Sequence, residues 1–206
     1  MTYRAKRFLA IASFIFVIAA FGPISIASEP ARVFGYEFGK PLQLPTCPYK
    51  NIFPGSAEVM YDTPTATTCL EKPHSVNGYG VPVRRLEFSH ADAPTIVKNS
   101  SMIVLELNGV LVGIQFFTYG VKSQELTLDQ LTAKYGKPSQ INKSTVQNAY
   151  GAAFESISAK WVLPSVAVDF NGTVGNLDSG TVIIDSPEGS QMRAGWSPAK
   201  PAGKAL

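Results

Sequence analysis

The sequence predicts an α+β fold, in which a mostly antiparallel β-sheet carries one short helix on a face and one disulfide ties down an irregular segment. The first observation behind this prediction is a hairpin: two β-rich runs, Met102–Leu107 and Val110–Thr118, flank Asn108-Gly109. This dipeptide tolerates the positive φ angles of a type I′ turn. The second observation is that strand-like runs with close turns lie on both sides of a single helical pattern, which favours antiparallel pairing.

The helical pattern lies between Thr127 and Pro138. Thr127 is expected to cap the free amides of the first turn, and Gln130, three residues on, to return the bond. Gly136 supplies a left-handed stop, and Pro138 prevents continuation. Three apolar side chains share one face at helical spacing: Leu128, Leu131 and Tyr135. Because a helix of this length is not stable alone, we expect it to dock on the sheet.

Further runs are expected to form strands. The run Phe34–Gly39 alternates well enough for one strand. The run Val81–Phe88 also alternates, and because it contains a proline we expect it at an edge of the sheet. Three more strands are predicted after the helix: Phe154–Leu163, Ser165–Phe170 and Gly180–Asp185.

Residues 1–27 have the pattern of a cleavable secretory signal. The first seven residues hold three bases and no acid, and the next fourteen, Phe8–Phe21, are apolar apart from Ser13. Small residues in Ser25-Ile26-Ala27 offer a cleavage site before Ser28. A spanning helix needs about 20 apolar residues, so we expect no stable membrane anchor after cleavage. The protein is expected to be periplasmic or secreted.

The charge balance argues against two classes of partner. The chain has 18 Lys and Arg against 15 Asp and Glu, and the signal takes three of the bases, so 15 bases face 15 acids in the exported part. A neutral chain gives no support for binding nucleic acid or an anionic membrane surface.

We predict a single domain over residues 28–186. Its first part, 28–80, is rich in proline and is expected to depend on a disulfide between Cys47 and Cys69, since paired cysteines in an exported chain are usually bonded. A reactive or metal-binding thiol is the alternative. Residues 81–186 hold the sheet and helix, and residues 187–206 are expected to form a flexible tail.

The sequence assigns no catalytic residue, cofactor or metal. The only histidines are His74 and His90, and their spacing with Asp92 matches no metal signature. The string Ser197–Lys200 resembles a Ser-x-x-Lys motif but lacks the partner motifs. Acids that a hydrolase would use are spread singly along the chain: Glu87, Glu106, Asp169 and Asp185. A pair acting on a wall or sugar polymer stays open as an alternative function.

The hairpin is apolar on both sides, so both faces of this part of the sheet need cover. The helix covers one face. The other has three candidate covers, namely the stapled N-terminal segment, a second copy of the chain, or a partner protein, and we expect the N-terminal segment to cover most of it. Phe117 and Tyr119 share one alternating set at the far end of the hairpin. We predict that they form the binding surface for a partner.

The string Leu131–Pro138, a short helix that ends in Tyr-Gly-Lys-Pro and leads into antiparallel strands, resembles small exported bacterial proteins. It is most similar to the architecture that the β-lactamase inhibitor protein shares with the small outer-membrane assembly lipoprotein. The resemblance spans roughly residues 102–186 and implies that the sheet face opposite the helix, or its loops, contact a protein. The chain lacks the lipoprotein cysteine, and its pattern predicts no second helix. We therefore expect a non-catalytic, exported binding or inhibitor-like domain that contacts another exported protein or a second copy.

Overall fold

The computed structural model describes residues 31–51, 53–54, 58–60, 66–72, 74–75 and 82–196. The predicted secretory signal, 1–27, lies outside the described residues. The same holds for 197–206, which include the Ser197–Lys200 string. Within the described part of the chain, no helix is both long enough and apolar enough to cross a membrane.

The described residues form the following elements in chain order: β1 (Arg32–Val33), β2 (Tyr36–Glu37), β3 (Tyr49–Asn51), β4 (Glu58–Met60), β5 (Cys69–Leu70), β6 (His74–Ser75), β7 (Pro82–Glu87), β8 (Ser101–Leu107), β9 (Val110–Thr118), α1 (Gln124–Tyr135), β10 (Gln140–Gln147), β11 (Ala153–Val162), β12 (Ala167–Asn171), β13 (Gly180–Asp185) and α2 (Pro187–Trp196).

Nine strands form one antiparallel sheet in the order β10-β11-β12-β13-β9-β8-β7-β5, with β6 also paired to β7. Two small ribbons, β1–β2 and β3–β4, stand outside this sheet. The predicted α+β class with a mostly antiparallel sheet is therefore confirmed. The predicted bond between Cys47 and Cys69 is confirmed as well, with both cysteines buried.

The predicted hairpin is the centre of the sheet. Asn108 and Gly109 have φ angles of 53° and 77°, as a type I′ turn requires. β9 and β13, side by side, have the predicted bounds, and β11 and β12 begin and end within two residues of theirs. Alternation and turn residues were enough to predict the bounds of these strands, because each strand has a buried face that imposes an apolar pattern.

Two predicted strands differ from the structure. β7 is an inner strand, not an edge, because β5 and β6 pair on one side of it and β8 on the other. Its proline is tolerated because it is the first residue of the strand. The run Phe34–Gly39 is not one strand either: Phe34 and Gly35 have φ angles of 51° and 86°, so they form the turn between β1 and β2.

The helix α1 starts earlier than predicted. It begins at Gln124, so Thr127 is not the capping residue but lies buried inside the first turns, where its hydroxyl donates to the Ser123 carbonyl at 2.9 Å. Gly136 ends the helix with a φ of 78°, as expected. The predicted apolar face is confirmed: Leu131 is buried in the core, and Leu128 and Tyr135 pack against it.

The N-terminal segment covers the same sheet face as α1, which is a correction to its predicted place. The Phe34 ring contacts the Phe88 and Phe116 rings with centroids 5.9 and 5.4 Å apart. Phe116 belongs to the core that Leu131 of α1 also enters. Since Phe116 and Phe117 point to opposite faces of β9, this contact leaves the Phe117 face without the N-terminal cover.

The opposite face is covered in part by α2, where a flexible tail was expected over 187–206. The Arg193 Nε donates to Asp185 Oδ2 at 2.7 Å, and its Nη1 to Gln115 Oε1 at 3.1 Å. Gly189 lets the helix approach β9, because a Cβ there would overlap the Val112 carbonyl oxygen. A buried ion pair and one close backbone contact thus hold a helix that its glycines and proline made hard to predict.

Both ends of α1 are tied to the sheet by side-chain hydrogen bonds. At the C-terminal end the buried Trp161 Nε1 donates to the Gly136 carbonyl at 2.7 Å. At the N-terminal end the buried Gln124 amide lies where β12 stops pairing with β11: its Oε1 accepts from the Ile157 N–H at 3.0 Å, and its Nε2 donates to the Glu155 carbonyl at 2.8 Å. The Gln124 amide therefore replaces a peptide group of the missing strand.

We expect Gln124→Ala to lower the free energy of unfolding by about 2–4 kcal/mol, because it leaves a buried N–H and a carbonyl unpaired. Gln124→Glu keeps an acceptor for Ile157 and should lose less. Gln130→Ala, an exposed position on the same helix, should change stability by less than about 0.5 kcal/mol. Urea unfolding at pH 7 measures all three. A loss below about 1 kcal/mol for Gln124→Ala would contradict the role given to this amide.

Candidate functional site

The two predicted binding residues lie exposed at the end of the central strand β9. Phe117 and Tyr119 are each 42 % exposed, whereas Phe116 is 1 % exposed. The Tyr119 N–H donates to Ser123 Oγ at 2.9 Å, which fixes the chain just before α1. Two large aromatic side chains thus meet solvent on a backbone held by a sheet and a helix start.

Two isoleucines extend this exposed apolar area. Phe117 pairs with Thr181 on β13, so Ile183 is its diagonal neighbour there, and Ile103 is its diagonal neighbour on β8. Diagonal neighbours across strands are within reach of an aromatic side chain. Both isoleucines are half-buried. We call the four residues Ile103, Phe117, Tyr119 and Ile183 the β9 patch.

A buried cluster of charges borders the β9 patch. The Arg85 side chain, opposite Ile103 in the sheet, places Nη1 3.5 Å from Glu71 Oε1 and 3.7 Å from Glu87 Oε1. The two carboxylates are about one-tenth exposed or less, while Arg85 is 53 % exposed. A partly solvated guanidinium therefore lies close to two buried acids.

This arrangement changes the acidity of Glu87. Burial raises its pKa to about 7, with the nearby Glu71 adding to the rise and Arg85 opposing it. Near neutral pH the Glu87 carboxyl accordingly holds a proton for part of the time. No sequence pattern indicates this pair, because Glu71 and Glu87 meet through the register of β5 against β7.

Three of the four acids that sequence analysis singled out each lie next to a base. Glu106 lies 3.4 Å from Arg84, Asp169 lies 2.7 Å from Lys160, and Asp185 lies 2.7 Å from Arg193. Burial raises the pKa of Asp185, and the nearby Asp169 adds to the rise while Arg193 opposes it.

The metal hypothesis at the histidines gains no support from the described residues. His90 is exposed on a turn, and Asp92 accepts hydrogen bonds from Ser89 Oγ at 2.6 Å and Thr68 Oγ1 at 3.1 Å. These two bonds lower the pKa of Asp92. The side chain of His74 lies outside the description. Among the described residues, no three His, Cys, Asp or Glu side chains come together as metal ligands would.

Comparison with known proteins adds no relative: no family model, no curated protein and no solved structure matches this chain. The site must therefore be interpreted from its own geometry. Sequence alternation pointed to Phe117 and Tyr119, and the structure places both side chains partly in solvent. Alternation missed the isoleucines and the charge cluster, which depend on how five strands are aligned.

The raised pKa of Glu87 makes stability depend on pH. Because the folded protein binds this proton more tightly than the unfolded chain, the free energy of unfolding should fall as pH rises from about 4.5 to about 7. Glu87→Gln should remove this fall and be more stable than wild type at pH 8 by about 1–2 kcal/mol, after allowance for solvent screening. The two proteins should be equally stable at pH 4.

Urea unfolding between pH 4 and pH 8 measures the difference. Asp129→Asn, at an exposed position of α1, serves as the control and should follow the wild-type curve. An equal pH dependence in wild type and Glu87→Gln would show that Glu87 is not the group responsible.

Proposed function

We propose that this protein is an exported, non-catalytic binding domain whose β9 patch contacts another exported protein. The observation that carries the proposal is the 42 % exposure of both Phe117, on the central strand β9, and Tyr119, which follows the end of that strand. A folded domain gains stability by burying aromatic side chains. Leaving two of them in solvent at one place is typical of a surface that a partner covers.

The composition of the β9 patch fits a protein partner. Binding energy in protein interfaces is concentrated in a few aromatic and Arg residues at the centre of the contact. Here Phe117 and Tyr119 would be the anchors, and the exposed Arg85 lies at the rim beside Ile103. A sheet strand also presents these side chains with little loss of conformational entropy on binding.

An inhibitor-like role is the form of binding that the sequence resemblance implies, with the open sheet face as the contact surface. The sheet face that carries Phe117 lies opposite α1, and α2 covers part of it, where Arg193 bonds Asp185 and Gln115. The Cys47–Cys69 bond fits a protein that works in an oxidising compartment.

A hydrolase is the second candidate, and the pairing of Glu71 with Glu87 is the observation in its favour. Two carboxylates with one raised pKa are a common acid–base arrangement. A glycosidase, however, needs open space between its carboxylates for the scissile bond. In this protein the Arg85 guanidinium lies between them, and neither acid lines any of five surface clefts that described residues form. This geometry favours a structural ion cluster.

The proposal is tested first by site-specific crosslinking in cells. A photoreactive residue at Phe117 should give one covalent product with an exported protein, identified by mass spectrometry. The matched control is Val162, a 76 % exposed apolar residue on the same sheet face at the far end of β11. If the photoreactive residue at position 162 captured the same protein in the same yield as the one at position 117, a specific site at Phe117 would be contradicted.

Binding of the identified partner is then measured with purified proteins. Phe117→Ser combined with Tyr119→Ser should weaken binding by about 100-fold or more, as the loss of two anchor residues does. Val162→Ser should stay within about twofold. The double variant should lose less than about 2 kcal/mol of stability, since both side chains are half-exposed. Unfolding of the double variant would assign Phe117 and Tyr119 to the core and reject the site.

A further inference from the structure

The second exposed feature of the sheet is its free edge. β10 is the outermost strand, and β11 is its one neighbour among the described residues. The strand has eight residues, Gln140–Gln147, and seven of them are exposed. An exposed edge of this length presents unpaired backbone groups to other chains. Many proteins protect such an edge with a proline, a bulge or charged side chains such as lysine. β10 has no proline, and its one charge, Lys143, is paired with Glu155.

The hydrogen bonds of β11 show which backbone groups of β10 point outward. The Leu163 N–H donates to the Val166 carbonyl, and the Gly172 N–H donates to the Ile157 carbonyl. Odd-numbered residues of β11 therefore face β12, and even-numbered ones face β10. The register pairs residues whose numbers add to 300, such as Ser144 with Ser156. Even-numbered residues of β10 thus bond β11, and the outward backbone groups belong to four residues: Ile141, Lys143, Thr145 and Gln147.

These four residues form a self-complementary set. We propose that β10 pairs with β10 of a second copy of this chain, antiparallel and centred on Ser144. In this register Ile141 bonds Gln147 of the second copy and Lys143 bonds Thr145 of the second copy, and the reverse pairs follow by symmetry. Every outward N–H and carbonyl is then used, in about eight hydrogen bonds. The sheet continues from one copy into the next.

The side chains agree with this register. Shifting the centre by one residue to Lys143 would place two lysines directly opposite each other, which destabilises strand pairs. Centred on Ser144, the pair on the axis consists of two small serines. Each Lys143 is already neutralised, with Nζ 2.7 Å from Glu155 Oε1 and the Glu125 carboxylate also near enough to act on it. In the dimer, Lys143 of each copy lies near the two-fold axis and so near Lys143 of the other copy. The carboxylates of Glu155 and Glu125 reduce the repulsion between these two lysines.

We commit to a second copy as the occupant because β10 read backwards supplies a partner for each of the four outward residues and places no like charges directly opposite each other. An extended segment of another protein would gain the same backbone bonds and is the alternative that the experiments below distinguish. This inference is independent of the β9 patch, which lies four strands away in the sheet.

A disulfide test locates the axis. Ser144→Cys should form a covalent dimer under mild oxidation, because directly opposite residues that do not share hydrogen bonds have Cα atoms about 4.5 Å apart. The control Asn142→Cys lies on the same strand and face, but its symmetry mate would be about 13 Å away. It should stay monomeric on a non-reducing gel.

Charged substitutions at Ser144 distinguish a dimer formed through β10 from a dimer formed through another surface. Sedimentation of the wild-type protein should show twice the monomer mass at micromolar concentration. Ser144→Lys and Ser144→Asp should each be monomeric, because like charges meet on the axis, and an equimolar mixture of the two should regain the dimer. Asn142→Lys adds the same charge opposite Val146 of the second copy and should stay dimeric.

Each other result overturns the proposal. A wild-type protein that stays monomeric up to about 100 μM leaves β10 as an edge for an extended segment of a different protein. A dimer that Ser144→Lys does not weaken uses another surface. Because β9 is untouched by these variants, the β9 patch experiments succeed or fail separately.

Discussion

The Gln124 side-chain amide decides how the layers of this protein fit together. It completes the hydrogen bonds of β11 beyond the end of β12, at Ile157 and Glu155. Without such a substitute β11 would have to end with β12, because buried backbone groups need partners. With it, the β10–β11 hairpin extends past the rest of the sheet, and α1 is fixed to one face at the same point. The other face is left to α2 and to solvent, which is why Phe117 is exposed.

Sequence reasoning succeeded where burial imposes a pattern. The β8–β9 hairpin, β13 and the Cys47–Cys69 bond followed from alternation, a turn dipeptide and a pair of cysteines. It missed β10 because Gln140–Gln147 is mostly polar and exposed on both faces, so no alternation marks it. It missed α2 because the helix depends on the contact between Arg193 and Asp185. No sequence pattern predicts that these two side chains meet. The contact between Glu71 and Glu87 was missed for the same reason, since it depends on how two strands are aligned.

The two surfaces proposed for binding use different physics. The β9 patch offers side chains on strands whose backbone is fully paired, so its affinity would come from burial of aromatic area in a partner. The β10 edge offers backbone groups with small or polar side chains, so its affinity would come from strand pairing. The charge cluster at Arg85 is not expected to supply the main binding energy at either surface. Its buried acids hold the guanidinium at the rim of the β9 patch, and the raised pKa of Glu87 limits stability as pH rises.

The two proposals have a joint geometric consequence. Antiparallel pairing within one continuous sheet requires a two-fold axis perpendicular to that sheet, so both copies turn the same face to the same side. Adjacent strands, however, twist by about 20–25° relative to each other, so over the nine spacings between them the two β9 patches would turn away from each other and not share one direction. Nine strand spacings would separate the two β9 strands, since β9 is the fifth strand from each β10 edge, and at about 4.8 Å per spacing this is about 43 Å along the sheet. A partner with two sites at that separation would bind the dimer with an avidity that neither patch provides alone. A monomeric partner would instead occupy the two patches independently, since α2 and the distance between them prevent one small domain from touching both.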